Sequence, residues 1–302
     1  MLQVVLFVLV GWLVYRQLAP QLTQLSREDL LRYRPSVPLL IASTALITSI
    51  NVMHALIWRS ITVALTGTSV SIRSAMRVFF ISSLGRYVPG KVWQLASMAV
   101  LAQAEGISAV GATAASLVGQ LAFLTTGILF LAVLLPSVLS GAAVWAAVGL
   151  IAAALVLMVF AFSDSGKAVR QRWFSRVDPR VAQAGALLDR LSLSHALQYW
   201  ALYAFSWVLV GVAFNLFVTA FVPERNFVDF AAVVAASYVG GYISLLPAGV
   251  GVREGVMASL LTPAIGAPAA LLISIMSRLW FSAGELLPLM AVPFFPRTGR
   301  AA

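Results

Sequence analysis

Long apolar runs limit what this chain can fold into more than any other feature of it. Segments 2–17, 38–58, 107–135, 141–162, 196–221 and 268–294 are apolar almost throughout. About 20 such residues in a helix cross the roughly 30 Å hydrocarbon core of a bilayer. Inside that core every backbone N–H and C=O needs an internal partner, so only helices and closed barrels can span it. Barrel strands alternate apolar and polar residues, whereas these runs are continuous. The chain is 61% hydrophobic and 10% charged, against about a quarter charged in an ordinary soluble domain. The expected fold is an all-α integral membrane protein with about six full transmembrane helices.

Two further apolar segments are interrupted. Residues 76–88 and 91–104 flank a break in "SSLGRYVPGKVW", and residues 230–246 and 252–264 flank one in "GGYISLLPAGVGVREG". The arms of the first pair, 13 and 14 residues long, reach about 20 Å at 1.5 Å per residue, too short to cross. Both pairs are expected to be re-entrant broken-helix hairpins, with tips at Pro89 and Gly90 and at Pro247, Gly249 and Gly251. Segment 230–246 is long enough to read also as a full span.

Net charge is +10, but the basic residues lie in the connections, where they set topology and meet anionic lipid headgroups. Nucleic acid is therefore not an expected partner. Segment 59–77, segment 163–192 and the C-terminus carry eleven Lys and Arg on one side; Arg16, Arg27, Arg32, Arg34 and Arg225 make five on the other. The first side is expected to be cytoplasmic, with both termini there, in the inner membrane of a bacterial-type cell. Segment 18–34 would be an interfacial helix on the outer face. The N-terminus lacks a basic leader and a cleavage pattern, so it is expected to stay as the first span.

The order span, broken hairpin, span occurs over 38–135 and again over 196–294. "SLGRYVPG" parallels "YVGGYISLLPAG", and "QLAFLTTG" parallels "RLWFSAGE". An odd number of spans separates the two starts, so the copies would point in opposite directions. This is the inverted-repeat plan of secondary transporters, with the site between the repeats near the midplane. A single membrane domain, 1–302, is expected: 1–37 the first span and outer helix, 38–135 repeat one, 136–195 a connecting span and basic loop, 196–294 repeat two, 295–302 a tail.

The hairpins and the last span place Arg86, Lys91, Arg253, Glu254, Arg278 and Glu285 at membrane depth. Each charge facing lipid would cost about 2.5–3.5 kcal/mol. Together that is roughly 15–20 kcal/mol, above a typical net stability of about 5–15 kcal/mol. They must face one another, water or a ligand. Glu254 is the expected mate of Arg278, and Arg253 of Glu285. A surplus of about two positive charges remains, which suits a phosphate, and a helix N-terminus after the second break would aim N–H groups at it. Two readings stand together: ligand binding, and polar glue between the tips and the bundle. Arg86 and Lys91 read more readily as a cytoplasmic mouth than as the site itself.

Gln120 falls where the repeat puts the mate of Arg278 and reads either as cavity lining or as packing. Asn51 and His54 share a helix face and are expected to make an interhelical hydrogen bond. Tyr87, Trp93, Tyr238, Tyr242 and Trp280 read as anchors or core packing. There is no cysteine, no histidine–acid cluster with metal-ligand spacing, and no serine with an evident base. "GVGVREG" has the wrong spacing and context for a dinucleotide loop. No enzyme activity, metal or cofactor is expected.

"LGRYVPGKVW" at 84–93 and "PAGVGVREG" at 247–255 resemble the two signatures of the membrane domain of lysylphosphatidylglycerol synthases and their stand-alone, flippase-like relatives. Arg278 in "SRLWF" resembles an arginine on the last helix of that family. The resemblance covers essentially the whole chain. It implies transfer between leaflets of a lipid with an anionic headgroup, either an aminoacyl-phospholipid or a polyprenyl-linked or other glycolipid. In the full synthases a soluble transferase domain follows. This chain ends at "FFPRTGRAA", so it is not expected to be a complete synthase. The rival readings are a non-transporting subunit that presents lipid to a partner enzyme, such as a glycosyltransferase, and a membrane-embedded lipid-phosphate transferase.

Overall fold

The computed structural model describes residues 33–87, 92–134, 163–174, 179–223, 227–244 and 249–291, with single helical positions between 145 and 160. The segments 2–17 and most of 18–34 and 141–162, together with Pro89, Gly90, Lys91, Pro247 and the C-terminal tail, lie outside the described residues. Among the described residues the regular structure is all helical. Four helices run α1 (Val37–Thr66), α2 (Ile72–Ser83), α3 (Val92–Ala104) and α4 (Ala109–Leu134). Two basic helices follow, α5 (Asp164–Phe174) and α6 (Pro179–Leu188). A second set of four closes the chain: α7 (Leu193–Phe221), α8 (Phe227–Ile243), α9 (Val252–Ile265) and α10 (Ala267–Ala291).

α1, α4, α7 and residues 267–290 of α10 are long and apolar enough to cross a membrane. The outward-facing side chains fit that reading: Ile41, Val100, Leu121, Val133, Phe205 and Met290 are all more than half exposed. A water-soluble protein rarely leaves so much apolar surface bare. The chain is a multi-pass membrane protein.

Local chemistry sets the helix ends. Ser71 caps α2 by accepting from the Ser74 N–H at 3.0 Å, and Ser192 caps α7 in a reciprocal box with His195; such caps satisfy N–H groups that a helix start leaves unpaired. α1 runs 30 residues to Gly67, about 45 Å and longer than a bilayer core. This corrects the expectation of a loop over 59–77: residues 59–66 are helix, and only 67–71 connect α1 to α2. Arg59 stays in the helix because its Nε donates to the Val70 carbonyl at 2.5 Å. Arg190 donates to Leu65 O at 3.2 Å, serving the carbonyl end of α1.

The two sets of four helices are interleaved. α1 packs along α7, the last helix of the first set (α4) packs on α7 and α8, and the last helix of the second (α10) packs on α1 and α2. Each closing helix therefore lies against the opening pair of the other set. Buried indoles pin these crossings: Trp58 donates to Ala112 O at 3.2 Å and Trp207 to Phe123 O at 2.9 Å. Small residues permit the approach, as helix pairs in lipid require; a Cβ on Gly127 would sit 2.5 Å from the Trp207 ring.

Candidate functional site

Residues on both sides of each interruption line one cavity. In the first, α2 ends in a 3-10 turn, Leu84–Tyr87. A Cβ on Gly85 would lie 2.6 Å from Gln94 N, so the backbones before and after the break touch. The turn delivers Arg86 and Tyr87 to α10. Arg86 Nη1 donates to Glu285 Oε1 at 2.6 Å and its Nε to Ser83 O at 3.2 Å. Tyr87 Oη donates to Glu285 Oε2 at 2.9 Å and lies 3.2 Å from Ser282 Oγ.

In the second, Gly249 (φ +66°) and Gly251 (φ +81°) adopt backbone conformations that side chains resist. A Cβ on Gly249 would meet Gly241 Cα at 2.8 Å. α9 then starts at Val252. Glu254, buried, accepts from the Gly251 N–H at 2.7 Å through Oε2 and from Arg278 Nε at 2.5 Å through Oε1. One carboxylate thus closes the helix start and ties it to α10. Arg253 has a different environment. Its guanidinium carbon lies 3.9 Å from the Phe281 ring centroid and 5.4 Å from that of Tyr238. Its Nε and Nη2 are buried and have no hydrogen-bond partner among the described residues.

These groups face one cavity of about 270 Å³, to which every helix of both sets contributes, α5 and α6 standing apart. Of the sequence-derived site residues, Arg86, Gln120, Gly249, Arg253, Glu254, Arg278 and Glu285 line it. Gly251 stands beside it as the N-cap of α9, and Pro89, Gly90, Lys91 and Pro247 are outside the described residues. The Glu254–Arg278 pair forms as expected from the sequence. The expected Arg253–Glu285 pair does not: Arg86 occupies Glu285, because α2 packs onto α10 and the turn after it reaches that position. Arg86 therefore lines the cavity, with its side chain about one-third exposed. With three arginines against two carboxylates, the described lining carries a surplus of one positive charge; Lys91, the fourth base in the expected surplus of two, lies outside the described residues.

Other expectations also shift. Asn51 and His54 both line the cavity, and His54 Nε2 is buried with no hydrogen-bond partner among the described residues, so the expected interhelical bond from the histidine is not formed among them. Gln120 donates to Ser116 Oγ at 3.1 Å and accepts from Tyr242 Oη at 3.3 Å. Tyr87, Tyr238 and Tyr242 face the cavity, Trp280 is in the core, and Trp93 is half exposed. Phe281 and Ser282 had no place in the sequence-derived site. Their position on α10, three and four residues after Arg278 and hence on its face, was the available signal. No His, Asp and Glu group among the described residues could hold a metal.

A largely apolar cavity that carries buried charged side chains, lined by two like-ordered sets of helices, defines the class: a multi-pass helical membrane protein with an internal charged site. Residues 1–280 match the family described as the lysylphosphatidylglycerol synthase TM region, and the chain belongs to that family. It is thus related to the transmembrane domains of lipid synthases. No curated protein matches the sequence.

Proposed function

We propose that this protein carries a lipid with a phosphate-bearing headgroup from one leaflet to the other without altering it chemically. The observation that supports this best is Arg253. A buried guanidinium left unpaired costs several kcal/mol, and its contact with Phe281 offsets only about 0.5–2 kcal/mol. An anionic oxygen would satisfy Nε and Nη2 together, the fork geometry that arginine offers to phosphate. Arg278 is engaged by Glu254, so its role is to hold that carboxylate and the α9 N-terminus beside the phosphate.

In this reading the two four-helix sets are an inverted repeat with re-entrant tips. The headgroup enters between them while the chains stay in the bilayer. The exchange of α4 and α10 between the sets supports it, since a pseudo-two-fold arrangement produces such reciprocal packing. The excess of Lys and Arg in segments 59–77 and 163–192 supports cytoplasmic placement of that side in an inner membrane. The test is leaflet-resolved transfer of a fluorescent phospholipid in vesicles containing the purified protein alone. Wild type should transfer it and Arg253→Gln should not. A wild-type protein that inserts correctly but moves no lipid would favour a subunit that presents lipid to an enzyme.

A further inference from the structure

The geometry points to a second contact site, separate from the cavity: α5 is an interfacial helix that seats Trp173 and Val169 in an anionic lipid surface. No residue of α5 or α6 lines the cavity, and the site does not depend on the function proposed above.

The first argument is where α5 is held. It packs on α6, and α6 packs on α4 and α1. The Gly166 N–H donates to Ser163 Oγ at 3.1 Å at the start of α5. Near its end, Gln171 Nε2 donates to Asp189 Oδ2 at 2.9 Å. The next residue, Arg190, donates to Leu65 O in the last turn of α1. The pair is thus tied to the end of the bundle where α1 stops at Thr66, beside the start of α4 at Ala109 and of α7 at Leu193. Those three helices are long and apolar enough to cross a membrane. Their ends stand at the level of the headgroups, and α5 stands there with them.

The second argument is the face that α5 leaves bare. Gly166 is buried, whereas Trp173 is 68% exposed and Val169 44%. Four residues apart, these two form one stripe. Ile72 at the start of α2 and Leu193 and Leu197 at the start of α7 also expose their side chains, so apolar surface recurs at this end of the bundle. An indole on a basic helix settles at a bilayer interface, with its ring at the headgroup boundary. Segment 163–192 carries six Lys and Arg against three Asp, an excess that an anionic surface attracts. The stripe is only two large side chains wide. A stable protein interface takes about 800 Å² from each partner, but an interfacial helix inserts only one apolar face. The spanning helices already hold α5 beside the bilayer, so this contact pays no separate cost of encounter.

The test uses the full-length protein, which has no cysteine. Val169→Cys carries a spin label on the stripe. Ala168→Cys, also exposed and about 100° round the helix, carries one off it. Each labelled protein is placed in nanodiscs of phosphatidylcholine alone and of equal parts phosphatidylcholine and phosphatidylglycerol. Insertion is read as the ratio of collision rates with oxygen, which concentrates in the bilayer, and with a water-soluble nickel chelate. In the mixed bilayer the ratio should be severalfold higher at 169 than at 168. At 169 it should fall about threefold or more in phosphatidylcholine alone, since each basic residue near an anionic surface shifts insertion about fivefold. High salt should lower it in the same way. Trp173→Ser in the Val169→Cys chain should lower it in the mixed bilayer. Equal ratios at the two positions in the mixed bilayer overturn the inference and leave the stripe to a protein partner. An unchanged ratio at 169 between the two bilayers also overturns it, because the contact would then be apolar without recognition of charge.

Discussion

Arg253 and Arg278 lie on neighbouring helices in the same cavity, yet Nε and Nη2 of the first have no hydrogen-bond partner among the described residues and the second is held in a buried pair. Removing a partner from such a pair leaves a stranded charge at a cost of about 3–5 kcal/mol. Arg278→Ala should therefore lower the thermal unfolding temperature of the detergent-solubilised protein sharply. Leucine at both Arg278 and Glu254 should recover much of the loss. The recovery should be incomplete, because Glu254 also caps Gly251 and a cap contributes about 1 kcal/mol. Arg253→Gln should leave the unfolding temperature unchanged or raise it while abolishing lipid transfer. If Arg278→Ala unfolds like wild type and Arg253→Gln does not, the two roles are exchanged. The charged residues at depth were legible from the sequence, since each is conspicuous in an apolar run. Their individual roles were not, because both arginines look the same in one dimension.

At the scale of elements, the breaks are backbone structures before they are charge carriers. Gly249 combines a left-handed φ with a contact that leaves no room for a methyl group. Gly240, on the adjoining helix, would place a Cβ at an ordinary 3.5 Å from Val256. Gly249→Ala should cost about 2–3 kcal/mol and Gly240→Ala about 1 kcal/mol or less, as measured by thermal unfolding of the two variants. Comparable losses would mean the hairpin tolerates opening at Gly249. Helices α2, α3, α8 and α9 fall close to the segments read from hydropathy, because a breaker and an apolar run are properties of contiguous residues. The end of α1 was misread at Arg59. Hydropathy counts the charge but cannot see that Val70 O receives it.

For the whole molecule, the clasp between Tyr87, Arg86 and α10 is the contact that a carrier must loosen if the first hairpin moves against the second set of helices. The chain has no cysteine, so a pair of introduced thiols is unambiguous. Cysteines at Tyr87 and Ser282, whose side chains meet at 3.2 Å, should be joined by a short bifunctional thiol reagent. Joining them should stop leaflet-resolved transfer, and either single-cysteine variant treated alike should keep it. Full transfer by the joined protein would show that this clasp stays shut throughout the cycle.

By itself the sequence determined a membrane-embedded helical chain, twice interrupted, with buried arginines and glutamates that need partners. Those conclusions follow from hydropathy, local breakers and the cost of charge in lipid, all of which act over short stretches. Which arginine meets which carboxylate was decided only by the tertiary structure. Arg86 and Glu285 are 199 positions apart, and they meet because α10 packs on the helix that precedes the first break. That packing leaves Arg253 without a carboxylate among the described residues and brings His54 into the same cavity, because partner choice in lipid follows from how whole helices fit together.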